Sequence, residues 1–518
     1  MILRPLLLAS VLAAPAPAQE FTPERFRSHV EFLASDLMEG RDAGTRGYDL
    51  AASYVGSQFL GLGLTPAGSE GWYQQVPFVE AQRAGAAKVT ISGKSFDPAK
   101  DIAIGASTIA TSQQLAAPAV FVGYGIDEDS YRGLDVRGKY VVVLSGFPKG
   151  MPSEVGAHLN SMKQRFAEDR GALGLITIRT LQEQKRRGFD YYLKSAAEPN
   201  IGWTRPDGTA FALAPKLRVT ATAGQPVAEA LFAGAKTSLA DVLAQADQQG
   251  GKPKGFALQP SVSIGTSSSH RRFTSPNVLG VLPGSDPALK NEYVLLMAHL
   301  DHEGADPTRE GDQIYNGAMD NATGIATMLE VARAFATSGT RPKRSILFAA
   351  VTAEEDGLLG AEYLAKHPVV GNGKVVGVVN LDMPVLLYDF TDVIAFGANH
   401  STLGPMVQRA ASGAGVALAA DPLPQEGLFT RSDHYKFVRE GVPSVFLMTG
   451  FGNGGDKAFT GFLSTHYHKV TDDLKLPIDW KAGAKFARIN YAIAKEIADA
   501  PEAPKWNADS FFRPARLP

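Results

Sequence analysis

From residue 276 to about 500 the chain alternates between short, nearly unbroken apolar runs and longer stretches whose apolar residues recur every three or four positions. The runs 276–282, 294–297, 346–351, 375–381 and 443–448 have the length and the branched residues of strands. The stretches 322–336, 358–366, 403–412 and 485–497 have helical spacing; in the first, Ile325, Met328, Leu329, Ala332 and Phe335 share a face. A strand that is apolar on both sides must be covered on both sides, and helices between strands supply that cover. The expectation is an α/β fold: a doubly wound, mostly parallel mixed sheet flanked by helices. Pro283-Gly284-Ser285-Asp286 would turn the chain after its first strand. Sheets of this kind place their sites just beyond the carboxyl ends of the strands.

The rest of the chain divides by texture. Residues 1–18 read as a secretory signal peptide: Arg4, an apolar run over 6–14, then Ala16-Pro17-Ala18 before Gln19. That run is shorter than the roughly 20 residues a spanning helix needs. The expectation is therefore export to the periplasm or the extracellular space, with no membrane anchor. Residues 19–102 read as a helical part of the α/β domain, from Phe26, Val30 and Leu33 and from Leu50, Tyr54, Val55 and Phe59. Over 103–255, β-rich runs (119–122, 140–144, 173–178) between glycine turns suggest an inserted domain. Its His158 reads as surface or structural, and Lys185-Arg186-Arg187 as a solvated face. The α/β domain resumes over 256–500, and 501–518 is a tail.

Four groups of metal-binding side chains fall at equivalent places in this scheme, and a fifth lies in a polar loop. His299 and Asp301 follow the run 294–297, Glu354 and Glu355 follow 346–351, and Asp382 follows 375–381. Asp320 precedes the helix 322–336, and Tyr467-His468 lies in the loop before the last helix. Cysteine is absent, so disulfides, thiolate sites and a cysteine nucleophile are excluded, and a metal must sit on His, Asp and Glu. Two divalent ions need one carboxylate that bridges them and oxygen or imidazole ligands to complete each shell, a set that zinc accepts. Adjacent glutamates can be divided, one binding metal and the other handling the proton of a metal-activated water. Asp301 suits an acceptor that orients the His299 ring. The net charge of −2 gives no basic footprint for nucleic acid.

His299-Leu300-Asp301-His302, Gly317-Ala318-Met319-Asp320-Asn321-Ala322, Ala353-Glu354-Glu355, Asn380-Leu381-Asp382-Met383, Arg431-Ser432-Asp433-His434 and Tyr467-His468 resemble, in order and spacing, the motif series of the M28 zinc peptidases. The inserted segment resembles the protease-associated (PA) domain of many members. The resemblance implies two Zn2+ per chain, with Asp320 as the bridge. His299 and Asp382 would complete one shell, Glu355 and His468 the other. Glu354 would be general base and then acid, and Asp301 the support for His299. The implied activity is peptide hydrolysis of the aminopeptidase kind. Alternatives are a carboxypeptidase or dipeptidase on the same scaffold, a glutaminyl-cyclase-like acyltransferase, and a non-catalytic peptide-binding protein. The implied partner is a peptide or protein substrate, and the oligomeric state is open. Met383-Pro384 followed by apolar residues departs from the family pattern. His468 is preferred to His466 as ligand, and His302 and His434 read as pocket-shaping residues.

Overall fold

A computed structural model describes residues 20–514. The signal peptide expected over 1–18 lies outside the described residues. Among those described, no helix is long and apolar enough to cross a membrane.

The main sheet is mixed. Its centre is four parallel neighbours: Glu292–His299 pairs with Ser345–Val351 on one side and Lys374–Leu381 on the other, and Lys374–Leu381 pairs in parallel with Ser444–Thr449. Asp392–Phe396 is antiparallel to Ser444–Thr449 at one flank. At the other flank the last part of the long strand Phe256–Leu282 is antiparallel to Ser345–Val351. The apolar run 294–298 serves both faces by strict alternation. Val294, Leu296 and Ala298 enter the core beneath the helices Pro23–Leu33, Arg46–Gly61, Thr323–Thr337 and Trp480–Asp499. Leu295 and Met297 enter the core on the opposite face. All five are fully buried, and about 1.5–3 kcal/mol per large aliphatic side chain makes this strand the firm footing of the loop that follows it.

The region expected to be purely helical is only partly so. The helices Pro23–Leu33 and Arg46–Gly61 form, with Thr22 and Thr45 accepting from backbone N–H groups at their starts. After them comes the eleven-residue strand Tyr73–Arg83, antiparallel to 268–278. Its partner lies nearly 200 residues away, so no local signal announces it.

A second sheet joins Lys88–Ile91, Ser112–Phe121, Tyr140–Leu144, Gly174–Ile178 and Val219–Ala223 with the first part of Phe256–Leu282. It has its own cores, fed alternately by Tyr140, Val142 and Leu144 on one face and Val141 and Val143 on the other. This sheet begins ahead of residue 103, at Lys88. Phe256–Leu282 belongs to both sheets and ties them together.

Candidate metal centre

Three of the central strands end side by side, and each ends in a candidate ligand. His299 closes its strand, Asp382 follows Lys374–Leu381 directly, and Glu354 and Glu355 follow Ser345–Val351 by three and four residues. Asp320 arrives from the irregular turn ahead of the helix Thr323–Thr337. His299 Nε2 lies 3.2 Å from Asp320 Oδ1 and 3.3 Å from Asp382 Oδ1. His468 Nε2 lies 3.3 Å from Asp320 Oδ2 and 3.1 Å from Glu355 Oε2. Asp320 is therefore met by a different imidazole on each oxygen.

The donor chemistry fits cations. His299 Nδ1 sits 3.1 Å from the main-chain oxygen of Asp301. A carbonyl only accepts, so Nδ1 donates, and Nε2 is left facing two carboxylates. Donor atoms of His299, Asp320 and Asp382 all lie within 4.8 Å of one another, a gathering that repels itself without positive charge. Two imidazoles and the carboxylates of Asp320, Glu355 and Asp382 suit two divalent ions in charge and in ligand type. The protonation preferences point the same way. Burial lowers the His299 ring, but Glu354, Asp382 and Asp320 more than offset this and hold it well above the ordinary histidine value. Burial, with Glu355, Asp382 and Asp433 nearby, drives Glu354 well above the usual carboxylate range despite the opposing pull of His299. Glu355 goes the other way, to about 2: burial and Asp320 push it up, and hydrogen bonds from His302 and His468 win.

Around the ligands lies a frame of hydrogen bonds. Asp472 accepts the N–H groups of Met319 and Asp320, at 2.9 and 3.0 Å. Ser432 donates to Asp382 and accepts from Asn380. His302 Nδ1 holds Glu355 Oε1 at 2.8 Å, and Glu303 Oε1 holds His468 Nδ1 at 2.8 Å. Arg41, 1% exposed, donates to the carbonyls of Leu300 at 2.9 Å, Asn316 at 2.7 Å and Gly317 at 3.0 Å. It thus staples the loop that carries His299 to the loop that carries Asp320. Ala353, Met383 and His468 have left-handed φ values of 53°, 43° and 53°, each at or within two residues of a candidate ligand. Such residues cost of order 1–3 kcal/mol apiece and persist where the surroundings over-determine them. Gly317, at φ 56°, leaves no room for a side chain, because a Cβ there would stand 2.2 Å from Asp320 O.

Residues 277–494 match the sequence model of Peptidase family M28. They form an M28 peptidase domain. A probable zinc metalloprotease of Pyrenophora teres f. teres is 38% identical over 107 residues, 20% of this chain and 22% of that protein. Another, of Pyricularia oryzae, is 28% identical over 260 residues, 43% of this chain and 50% of that protein. The matches thus span half or less of these curated relatives. The solved aminopeptidase from Aneurinibacillus sp. strain AM-1 superposes with a TM-score of 0.52 at 18% identity, covering 93% of this chain and 95% of that one. The fold is shared along nearly the whole chain.

Within the M28 domain, one expected contact is made differently. The Asp301 carboxylate was assigned to His299; its Oδ2 instead accepts the N–H of Glu355 at 3.2 Å, and its main-chain oxygen takes the His299 ring. Two residues past the strand end, the carbonyl already reaches Nδ1, which frees the carboxylate to span to the neighbouring strand end. Burial, with Glu355 adding to it, raises Asp301 to about 6 against the opposing pull of His299. His466 turns to Thr471, away from the ligand set. His434 is buried against Phe429 and Phe446, outside it. Arg41 and Glu303 escaped the sequence reading as site residues. Arg41 sits more than 250 residues from the carbonyls of Leu300, Asn316 and Gly317 that it holds, and no local pattern announces that reach.

A cavity of about 720 Å3 opens on His302 and Glu355, between the M28 domain and the second sheet. Six carboxylates line it (Asp42, Glu80, Glu198, Glu303, Glu355 and Asp356), and among the described residues no lysine or arginine does. Burial and crowding with Asp301 and Asp42 raise Asp356 to about 8.

Proposed function

We propose that the chain is an exported metallopeptidase that holds two divalent ions, zinc by preference, and removes residues from the N-termini of peptides. One observation carries this reading: His299 and His468 meet opposite oxygens of the single carboxylate of Asp320. His299, Asp320 and Asp382 would hold one ion, and Asp320, Glu355 and His468 the other. Ions there would supply Lewis acidity toward a scissile carbonyl and bring the ionisation of water into the neutral range. Glu354 is left over. It lies within 4.8 Å of donor atoms of His299 and Glu355 but enters neither set around Asp320. Its tendency to hold a proton among carboxylates, and to release it as positive charge arrives, suits a base that then acts as an acid. Asp301 would position Glu355 through the main chain and His299 through its carbonyl.

The acidic cavity favours an amino-terminal over a carboxy-terminal exopeptidase. A free ammonium suits a wall lined by Glu80, Glu198 and Glu303 and, among the described residues, by no lysine or arginine, whereas a terminal carboxylate would meet like charge on that wall, away from the proposed ions. We read the second sheet as a PA domain that forms the facing wall, and residues 1–18 as a signal removed before Gln19. The test is a panel of peptides with free and acetylated N-termini, assayed with the zinc-loaded protein. Cleavage of the free-amine peptides alone is expected; equal cleavage of acetylated peptides would remove the aminopeptidase label. N-terminal sequencing of the exported protein should begin at Gln19.

A further inference from the structure

The acidic cavity does not end at its own far wall. It shares Gln164, Leu175, Thr177 and Tyr192 with a second cavity of about 610 Å3, so the two are consecutive parts of one groove between the second sheet and the M28 domain. The charge inverts along it. The second part is lined by Lys163, Arg186, Arg187 and Arg431, against only Glu183 and Glu426. Either volume by itself falls in the range that holds a small ligand, roughly 300–1,000 Å3.

The basic end already holds a carboxylate, and holds it loosely. Glu426 Oε2 lies 3.4 Å from Arg186 Nη2 and 3.8 Å from Arg431 Nη1. Both distances exceed the roughly 2.7–2.9 Å of a well-made guanidinium–carboxylate bond. Arg187 stacks on Tyr191 at 4.3 Å and enters no ion pair among the described residues. Lys163, by contrast, is engaged with the carbonyls of Leu144 and Gly146 and serves the wall. Arg186 and Arg187 lie at and just past the end of the helix Leu181–Arg186, and Tyr192 on Phe189–Ala197; neither helix buries a residue. These helices lie over the groove, with Leu181 half-buried against the core of the second sheet. Arg431 is anchored to the metal side, because the next residue, Ser432, donates to Asp382.

We infer that this groove is built for short peptides with both ends free, Arg186, Arg187 and Arg431 receiving the C-terminal carboxylate while the acidic end receives the amine. The inference rests on the aminopeptidase reading above and adds to it a substrate class, zwitterionic oligopeptides rather than protein chains. Glu426 occupies the carboxylate's place when no substrate is bound. A substrate carboxylate has to displace it, so Glu426 opposes binding at this end.

The experiment compares tri- and tetrapeptides that differ only in a free or amidated C-terminus, on the zinc-loaded full-length protein. Amidation is expected to raise KM by about 10- to 100-fold with little change in kcat, the worth of one or two charge-assisted hydrogen bonds. In Arg187→Gln,Arg431→Gln the acid-to-amide ratio should collapse toward one. In Glu426→Gln, which frees both guanidinium groups, the ratio should widen. Equal KM values for acids and amides in the wild-type protein would overturn the inference, as would an unchanged ratio in the arginine variant or a narrowed one in Glu426→Gln. Failure of the underlying reading looks different: N-acetylated peptides would then be cut as readily as free-amine ones, whichever C-terminus they carry.

Discussion

Asp472 grips the backbone of the proposed bridging residue: its two carboxylate oxygens accept the N–H groups of Met319 and Asp320, at 2.9 and 3.0 Å. The turn that delivers Asp320 has non-helical φ and ψ at Asp320 and Asn321, so no helix or strand ladder satisfies those N–H groups. Asp472→Ala leaves two buried donors without partners, at a cost of about 1–3 kcal/mol each. It should also weaken metal retention by about 10- to 100-fold, as loss of an orienting partner does. Zinc content after dialysis against graded chelator measures this, and a variant that keeps wild-type retention would show that the turn holds itself.

The shared carboxylate separates two further variants. Asp320 faces both imidazoles, whereas His299 faces only Asp320 and Asp382. Asp320→Ala should therefore cost both ions and His299→Ala mainly one. Metal-to-protein ratios after dialysis should approach zero in the first and one in the second; equal ratios would contradict a bridge at Asp320.

Glu354 lies outside the two ligand sets proposed around Asp320. Glu354→Gln keeps the shape and removes the proton acceptor, so the fold and both ions should persist while turnover falls by about 10^2–10^4-fold or more. Turnover near the wild-type value on a free-amine peptide would move the proton chemistry elsewhere. Loss of metal in the same variant would make Glu354 a ligand instead.

How much of this was legible follows from where each signal lives. His299, Asp382 and the Glu354–Glu355 pair stand directly beyond apolar runs, and a run that must be buried on both faces fixes where its end emerges. That rule needs no knowledge of partners. Asp320 and His468 lie in turns with no such footing; their places beside the helices that follow mark them as candidates, and the motif series gives them their roles. The strand Tyr73–Arg83 was missed because its pairing lies with residues 268–278, and the polar stretch Ser267-Ser268-Ser269-His270-Arg271-Arg272 gives no buried-strand signature. Long-range pairing alone makes both strands. Arg41 and Asp301 were missed or misdirected for a related reason: what they hold is backbone, and sequence patterns speak of side chains.

The last prediction concerns how the second sheet stays docked. His158, on the helix Ser153–Ser161, meets Tyr435 Oη of the M28 domain at 2.5 Å and packs edge-on against Phe511 and Phe512 near the C-terminus. The ring is 3% exposed, its Nε2 has no partner, and burial, with Arg439 adding like charge, lowers it to about 4. In the unfolded chain the same ring titrates near about 6.5. The folded state thus resists the proton that the unfolded state accepts, and the stability the neutral ring contributes is complete above pH ~6.5 and lost as pH falls toward about 4. The loss at pH 5 is about 2 kcal/mol. His158→Gln cannot titrate, so its melting temperature should fall less than the wild type's between pH 7 and pH 5, whatever its starting value. Because His158 joins the two sheets rather than the metal ligands, the low-pH transition should appear first in the 103–255 region by hydrogen exchange. Parallel melting curves for the two proteins would show that this ring takes no part in the acid response.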